Sequence, residues 1–495
     1  MRLADLARGV PGASVEAGGD YDVTGVRYDS RRVGPGDLFV AVRGYHVDGH
    51  LYATDAARKG AALALEPGSP APPGAAVLRV ADSRSALAEL AAELLGRPAH
   101  GLLVAGVTGT DGKTTTTYMA QHILEQSGVA SGLTSTVGFR LRGEEHYNES
   151  GQTTTEASEL QEWLARMRDA GLRAAVVEAT SHALVQGRVN ACEFDVAAFT
   201  NIGFDHMDFH GTWEDYLQAK ARLVDMCAAS PAKGVPKTVV LNRDDISWER
   251  LKDRPIERRF TYSLDNDADF RAVDIWGDAN GSRFRLVTPA GEAAVGLRLP
   301  ARFNVYNALC AAGIAVAMGV EAEAIGDALS TFRGVRGRLE QVELGQPFRV
   351  FIDFAHSAGS LRSALAELRQ VTDGRLIAVF GSTARSDHDR PGMGHAAGEG
   401  ADYFVITTDD PLDQDPAEIA ADVQSGVVGR QPGRDYVTVL DRRTAIRRAI
   451  EMARPGDTVL LAGKGHERTM LTAAGREPWD ERAEAEAAIR NLNGA

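Results

Sequence analysis

The chain has 495 residues, too many for one hydrophobic core, and the usual domain size of roughly 100 to 200 residues predicts three units. Hydrophobic residues at 44% and charged residues at 25% exclude a disordered or fibrous class. A formal charge of -14 with no Lys/Arg-rich block argues against a nucleic-acid polymer as partner, while leaving room for a local basic pocket that holds phosphates.

The first segment, to Asp82, carries short strands such as "DLFVAV" and "GAALALE" between Gly/Pro-rich breaks like "EPGSPAPPGAA", the texture of a small α/β unit. Its opening, "MRLADLARGVPG", lacks the apolar core of a signal peptide, and nowhere do about 18 apolar residues run together, so a cytoplasmic protein away from membranes is expected. An amphipathic helix, "SRSALAELAAELLG", leads into a second segment, 83–337, where "GLLVAGV", "RAAVVEAT", "FDVAAFTNI" and "KTVVLN" read as buried strands separated by helices, a parallel-sheet signature. From Arg338 to the last residue, "FRVFIDFA", "RLIAVFG", "DYFVITTD", "YVTVL" and "DTVLLAG" alternate with helices such as "GSLRSALAELRQ" and "RRTAIRRAIEMA", which predicts a Rossmann-like, doubly wound sheet. The fold expected is therefore α/β in three domains, 1–82, 83–337 and 338–495. Cys192, Cys227 and Cys310 are far apart and odd in number, which fits small buried hydrophobes in a reducing compartment better than disulfides or a zinc site.

In the second segment, "VTGTDGKTTTT" (Val107 to Thr117) follows a buried-strand pattern and opens a helix. Backbone N–H groups of Thr110, Asp111, Gly112 and Thr115 can face phosphates there, Lys113 can neutralise them, and the Thr114 hydroxyl can ligate Mg²⁺. The general P-loop pattern is incomplete, because Val107 stands where its first glycine belongs; a chance glycine turn is the alternative. Downstream, Glu178 ends one strand, Asp205, His206 and Asp208 follow another, and Lys220 lies on the helix "EDYLQAK". Carboxyl ends of parallel strands are where such sheets bind ligands, so these groups can converge on the loop.

Together with "YDSRRVGPGDLFVAVRGYHVDGH", "EATSHAL", "QGRV", "FTNIGFDHMDFHG", "YLQAK", "FNVYN", "GRLE", "IDFAH", "DDPLDQDP" and "GKGHE", this loop makes the chain resemble the Mur ligases nearly end to end. The likeness is strongest to the branch that adds a third amino acid to UDP-N-acetylmuramoyl-L-alanyl-D-glutamate in peptidoglycan precursor synthesis. The resemblance implies an ADP-forming ligase: ATP phosphorylates a substrate carboxylate, and an amine displaces the phosphate to form an amide. It implies an N-terminal domain for the UDP substrate, a central ATP-binding domain, a C-terminal amino-acid domain that closes over the others, small-molecule substrates only, and a monomer. Lys113 would hold the β- and γ-phosphates, Thr114 and Glu178 one Mg²⁺, and His206 a second. Lys220 matches the family lysine carbamylated by CO₂ (an N6-carboxylysine), which turns a cation into a ligand for the metal.

By the same register, Asn304, Asn307, Arg338 and Asp353 would contact the nucleotide, Ser30 the uridine part, and Thr153, Thr154, Ser181 and Arg188 the sugar-peptide. On the amino-acid side the matching positions are Arg385, Asp409, Asp410, Leu412, Gly463 and Glu467. Arg385 aligns with the arginine that holds the α-carboxylate. Leu412 replaces the arginine that grips the distal carboxylate of meso-diaminopimelate in "DNPR", while Asp409 and Glu467 remain for a distal ammonium, so lysine or ornithine is expected, with an unusual, less polar amino acid packing on Leu412 as the alternative. Departures cluster near the muramyl-peptide side: Asp111, Thr155, Thr180, Gly203, Phe204 and the "AHSAGS" segment differ from the usual pattern. A relative acting on a different carboxylate, a P-loop NTPase or kinase, and a nucleotide-binding protein without turnover are the competing readings.

Overall fold

A computed structural model describes residues 1–44, 47–278, 280–384 and 389–493, with the side chain of the last of these left out. The first sheet holds β1 (Ser14–Ala17), β2 (Gly25–Arg27), β3 (Asp37–Val40), β4 (Ala62–Leu65) and β5 (Val77–Arg79) in the order β1-β5-β4-β3-β2, parallel except for β1. Alternation along these strands supplies two cores: Leu38, Val40, Ala62 and Ala64 pack on one face, and Phe39, Ala41, Leu63 and Leu65 on the other. The helix Ser83–Leu94 starts where the Asp82 carboxylate accepts the Ser85 N–H at 2.8 Å, and its Leu87 and Leu90 join the first core.

The central sheet contains β6 (Leu103–Thr108), β7 (Ser131–Thr134), β8 (Gly138–Leu141), β9 (Glu144–Tyr147), β10 (Ala174–Glu178), β11 (Val196–Phe199), β12 (Thr238–Asn242) and β13 (Arg258–Ser263). Their order is β13-β12-β11-β6-β10-β7-β8-β9, parallel from β13 to β7 and antiparallel beyond. The order reverses beside β6, which makes its carboxyl end the ligand-binding crevice of this sheet. Three longer strands follow, β14 (Phe270–Asp278), β15 (Gly281–Thr288) and β16 (Gly291–Leu297), which the period-2 reading of the sequence passed over.

The last large sheet has the order β17-β18-β22-β19-β20-β21, from β17 (Glu340–Gln341), β18 (Arg349–Asp353), β19 (Leu376–Phe380), β20 (Tyr403–Ile406), β21 (Tyr436–Thr438) and β22 (Thr458–Ala462). All are parallel but β17, and their odd and even residues feed separate cores, Phe351, Phe380 and Leu460 on one side and Val350, Val379 and Leu461 on the other. A two-stranded hairpin, β23 (Thr469–Thr472) and β24 (Gly475–Pro478), follows. This is the three-domain α/β architecture expected. By compactness the chain forms two units: Met1–Val273, Arg285–Ala294 and Tyr306–Leu329 in one, and Asp274–Phe284, Val295–Val305 and Ser330–Ala495 in the other. Among the described residues no helix is long and apolar enough to cross a membrane.

Candidate active site

At the end of β6 the chain turns through Gly109 (φ +150°) and Gly112 (φ +79°) into the helix Lys113–Gln126. Neither glycine can be replaced: a β-carbon would lie 1.8 Å from Thr200 Oγ1 at Gly109 and 2.3 Å from Asn307 Oδ1 at Gly112. The loop between them is pinned from β11: the Thr110 N–H donates to Asn201 O at 2.7 Å, the Asp111 N–H to Asn201 Oδ1 at 3.0 Å, and Thr200 Oγ1 to Asp111 O at 2.6 Å. Asn307, buried on the helix Arg302–Ala317, accepts from Thr116 Oγ1 at 3.3 Å, while Asn304 one turn earlier donates to Pro300 O at 2.8 Å.

Lys113 folds back on its own loop, its Nζ donating to Gly109 O (3.1 Å) and Thr110 O (2.7 Å). Beside it on β10, Glu178 is buried and accepts from Thr114 Oγ1 (3.0 Å), Thr136 Oγ1 (3.2 Å) and the Thr136 N–H (3.0 Å). Among the described residues no cation pairs with it. Hard oxygen donors gathered by a buried, uncompensated carboxylate suit Mg²⁺. On the β11 side, Lys220 is fully buried on the helix Trp213–Ala229, donates to Gly109 O at 2.7 Å, and lies 4.4 Å from the Tyr216 ring centroid. Burial, with Lys113 adding repulsion, holds its amine well below the usual lysine range. A neutral amine is the form that reacts with CO₂.

The loop that carries His206 crosses the phosphate loop, since the Gly203 N–H donates to Thr110 Oγ1 at 2.9 Å. His206 has φ +54° and stands edge-on to His182, ring centroids 4.7 Å apart. His210 Nε2 lies 3.0 Å from Ser181 Oγ, and the Tyr216 hydroxyl lies 3.1 Å from Thr110 Oγ1. Thr180 keeps the capping job of the serine it replaces, accepting the Ala183 N–H at 3.2 Å. Thr154 Oγ1 donates to Glu178 O at 2.8 Å, next to Thr153, and Arg188 donates to Gln152 Oε1 (2.8 Å) and Thr154 O (3.0 Å) and pairs with Glu156 (3.2 Å). In the first sheet's domain, Ser30 opens a short 3-10 turn whose carbonyl takes a hydrogen bond from Lys59 at 2.7 Å.

The C-terminal domain gathers a second charged cluster. Asp409 and Asp410 follow β20, and Gly463 (φ +110°) ends β22 so closely that a β-carbon would meet Asp409 Oδ2 at 2.4 Å. Lys464, wholly buried, lies 2.7 Å from Asp410, 2.5 Å from Glu467 and 3.7 Å from Asp409. Asp409 and Glu467, which the sequence left open for a substrate ammonium, thus already hold one supplied by the chain. Burial works against the Lys464 ammonium, but the three carboxylates outweigh it and raise its pKa. Burial pushes Glu467 up to about 7 against the pull of Lys464. Asp409 stays below the usual carboxylate range because Lys464 and Arg442 overcome the effect of burial. Arg442 is itself spent on Glu481 at 2.6 Å. Leu412 is exposed in a left-handed conformation (φ +51°), its N–H donating to Leu471 O of the hairpin at 3.0 Å. Arg385 lies outside the described residues.

Sequence reasoning passed over Thr136, Tyr216, Asn201, His210 and Lys464. The last four sit inside motifs it quoted, whereas Thr136 lies in an ordinary loop after β7 and gave no signal.

The chain matches the Mur ligase family catalytic domain over residues 22–94, the Mur ligase middle domain over 107–315 and the Mur ligase glutamate ligase domain over 337–465. It is 44% identical over 484 residues to the UDP-N-acetylmuramyl-tripeptide synthetase of Roseiflexus sp. (strain RS-1), covering 95% of each chain. It is 40% identical over 491 residues to the UDP-N-acetylmuramoyl-L-alanyl-D-glutamate–2,6-diaminopimelate ligase of Geobacillus kaustophilus (strain HTA426), covering 99% of each. A solved structure of a UDP-N-acetylmuramoyl-L-alanyl-D-glutamate–2,6-diaminopimelate ligase superposes with a TM-score of 0.68 at 29% identity, over 100% of this chain and 99% of that one. The chain belongs to the Mur ligase family, and is an ATP-dependent acid–amino acid ligase.

Proposed function

We propose that the protein joins a diamino acid, lysine or ornithine in preference to meso-diaminopimelate, to the D-glutamate carboxylate of UDP-N-acetylmuramoyl-L-alanyl-D-glutamate through an acyl phosphate. The observation that carries this reading is the pairing of Lys113 and Lys220 with main-chain carbonyls of one phosphate loop, next to the uncompensated Glu178. Lys113 has only to leave Gly109 O and Thr110 O to reach the β- and γ-phosphates, and the N–H groups at the start of the helix Lys113–Gln126 would orient the chain of phosphates, since those of Thr110 and Asp111 are already taken by Asn201. Thr114 and Glu178 would hold one Mg²⁺ and His206 a second, which when bound would offset charge on the transferring phosphoryl group. Carbamylation of Lys220 by CO₂ forms an N–C bond and releases a proton, converting a buried amine into an anion that suits those metals. Thr153, Thr154, Ser181 and Arg188 would place the acyl carboxylate, and Ser30 the uridine end.

Leu412 offers nothing to a distal carboxylate. In the C-terminal cluster Asp409, Asp410 and Glu467 all pair with Lys464, and Glu467 is the member whose side chain is still 32% exposed. A distal ammonium would therefore settle on Glu467, with Arg385 on the α-carboxylate. The test is phosphate release and product mass with ATP, Mg²⁺ and the muramyl dipeptide nucleotide against lysine, ornithine and meso-diaminopimelate. Release that needs both acyl donor and amine, with kcat/KM highest for lysine or ornithine, is expected. Release without either would mark an NTPase, and a preference for diaminopimelate would overturn the reading of Leu412.

A further inference from the structure

Three segments far apart in the chain, "GRLE", "IDFAH" and "GKGHE", are pressed together in the C-terminal domain. The turn at Gly337 has φ +67°, and a β-carbon there would lie 2.2 Å from the His466 backbone nitrogen; one at Gly465 would lie 2.7 Å from Phe354 Cβ. The half-buried Phe354 ring is the hub, with the Arg338 guanidinium carbon 5.0 Å from its centroid and the His466 ring at 4.8 Å. Two polar atoms in this group, His466 Nδ1 and Arg338 Nε, are buried and have no hydrogen-bond partner among the described residues, and His466 is only 4% exposed. Buried polar atoms are normally paired, and two orphans around one ring mark a place for a ligand.

Their chemistry narrows the ligand. Burial, and then the nearby charges of Arg338, Arg336, His356 and Lys464, push His466 down to about 3, so its imidazole is neutral and offers one donor and one acceptor. Arg338 adds a cationic donor. The Asp353 carboxylate, at the start of the same "DFAH" turn, accepts the Leu339 and Ala355 N–H groups at 2.8 Å each and is the anionic acceptor of the group. A cationic donor, a neutral donor–acceptor and an anionic acceptor beside a half-buried aromatic ring fit a hydroxylated sugar bearing phosphate. An amino-acid zwitterion would instead be drawn to the carboxylates around Lys464.

We propose that His466 is a nucleotide-binding residue, its imidazole sharing with Arg338 the ribose–phosphate part of ATP. This rests on the assignment of Arg338 and Asp353 to the nucleotide. The five-residue stretch Gly463–Glu467 would then serve two substrates, Lys464 and Glu467 on the amino-acid side and His466 on the nucleotide side.

The test uses the full chain and three substitutions. His466→Phe keeps a ring of similar shape without hydrogen bonds, His466→Asn restores a donor–acceptor near Nδ1, and His466→Gln restores one near Nε2. With a neutral hydrogen bond at stake, His466→Phe should raise the ATP KM and the calorimetric Kd for ADP roughly 2- to 12-fold. The KM values for amino acid and acyl nucleotide should stay within about twofold, and His466→Asn should recover most of the loss. An ATP KM and ADP Kd unmoved in His466→Phe, with unfolding still cooperative, would show that the orphan atoms meet only water. A rise confined to the amino-acid KM would move His466 to the other substrate, and either result overturns the proposal. Because ADP binding needs no turnover, it stays readable if the chain forms no amide with any acyl donor, a result that would count against the ligase substrate and not against His466. Should His466→Phe fail to fold, His466→Asn and His466→Gln decide: ADP affinity lowered in Gln and kept in Asn supports the Nδ1 contact, and equal affinity in both and in the unchanged chain removes it.

Discussion

Around the phosphate loop Lys113 and Lys220 are held by main-chain carbonyls, whereas in the C-terminal domain Lys464 is held by three carboxylates. A carbonyl is a weak partner for an ammonium, so the first region keeps its cations in reserve for an anion, and Glu178 likewise accepts from hydroxyl and N–H groups and makes no salt bridge among the described residues. The second region has met most of its charge internally, and a substrate amine has to compete there with a residue of the chain. Phosphate chemistry thus comes from a site preset for any nucleotide-driven acyl transfer. Selectivity for the amine comes from what is left over in a nearly closed charge balance, which one side chain can tip.

The largest effect is expected where charge is unmet. Glu178→Gln keeps the shape and the Thr114 and Thr136 contacts but removes the anion, and kcat should fall roughly 10²- to 10³-fold, in line with the loss of one preset electrostatic partner. Mg²⁺ titration of the variant would show the apparent metal affinity weakened in parallel; normal metal dependence with normal kcat would remove Glu178 from the metal site. Lys220→Ala should lose roughly 10²-fold and regain part of it with acetate or formate, small carboxylates able to occupy the space of a carbamate. Near-normal activity without added carboxylate would show that the buried amine only props up the phosphate loop.

The same contrast explains what the sequence made legible. Strands and helices of both doubly wound sheets follow from uninterrupted apolar runs such as "LIAVF", and the phosphate loop follows from glycines that no other residue could replace. The partners of Glu178 were harder to see, because Thr136 is fixed by the fold of a loop with no pattern of its own. The charge balance of the acidic cluster was hidden for a simpler reason. A motif shows that Asp409, Asp410 and Glu467 exist, but only their distances to Lys464 show that an ammonium is already there. Likewise β14, β15 and β16 are long, partly exposed strands that carry charged and polar residues in place of an uninterrupted apolar run.

On the C-terminal side, Leu412→Arg tests selectivity by adding the anchor that diaminopimelate lacks. The left-handed backbone at this position is already tolerated by leucine, so arginine adds no new strain of its own kind. A charge-assisted pair restored at the distal carboxylate should shift the kcat/KM ratio of meso-diaminopimelate to lysine by about 10- to 150-fold. An unchanged ratio would place the distal end of the amino acid away from Leu412.

A smaller change, set by protons, should separate the two regions without any mutation. Glu467 titrates near 7 because burial disfavours its anion more than Lys464 favours it. Below that pH the carboxyl is neutral and cannot pair with a substrate ammonium; above it the anion is available, while lysine and ornithine keep their distal ammonium up to about pH 10. Raising the pH from 6 to 8 takes a group of this pKa from about one-tenth to about nine-tenths ionised, so the amino-acid KM should fall by roughly ninefold over that interval. The ATP KM gives the control, because His466, neutral from about 3 upwards, does not change charge there. Glu467→Gln should flatten the pH dependence of the amino-acid KM at a high value. A KM that is flat in the unchanged chain, or that slopes equally in Glu467→Gln, would show that the proton belongs to another group and that Glu467 is engaged by Lys464 alone.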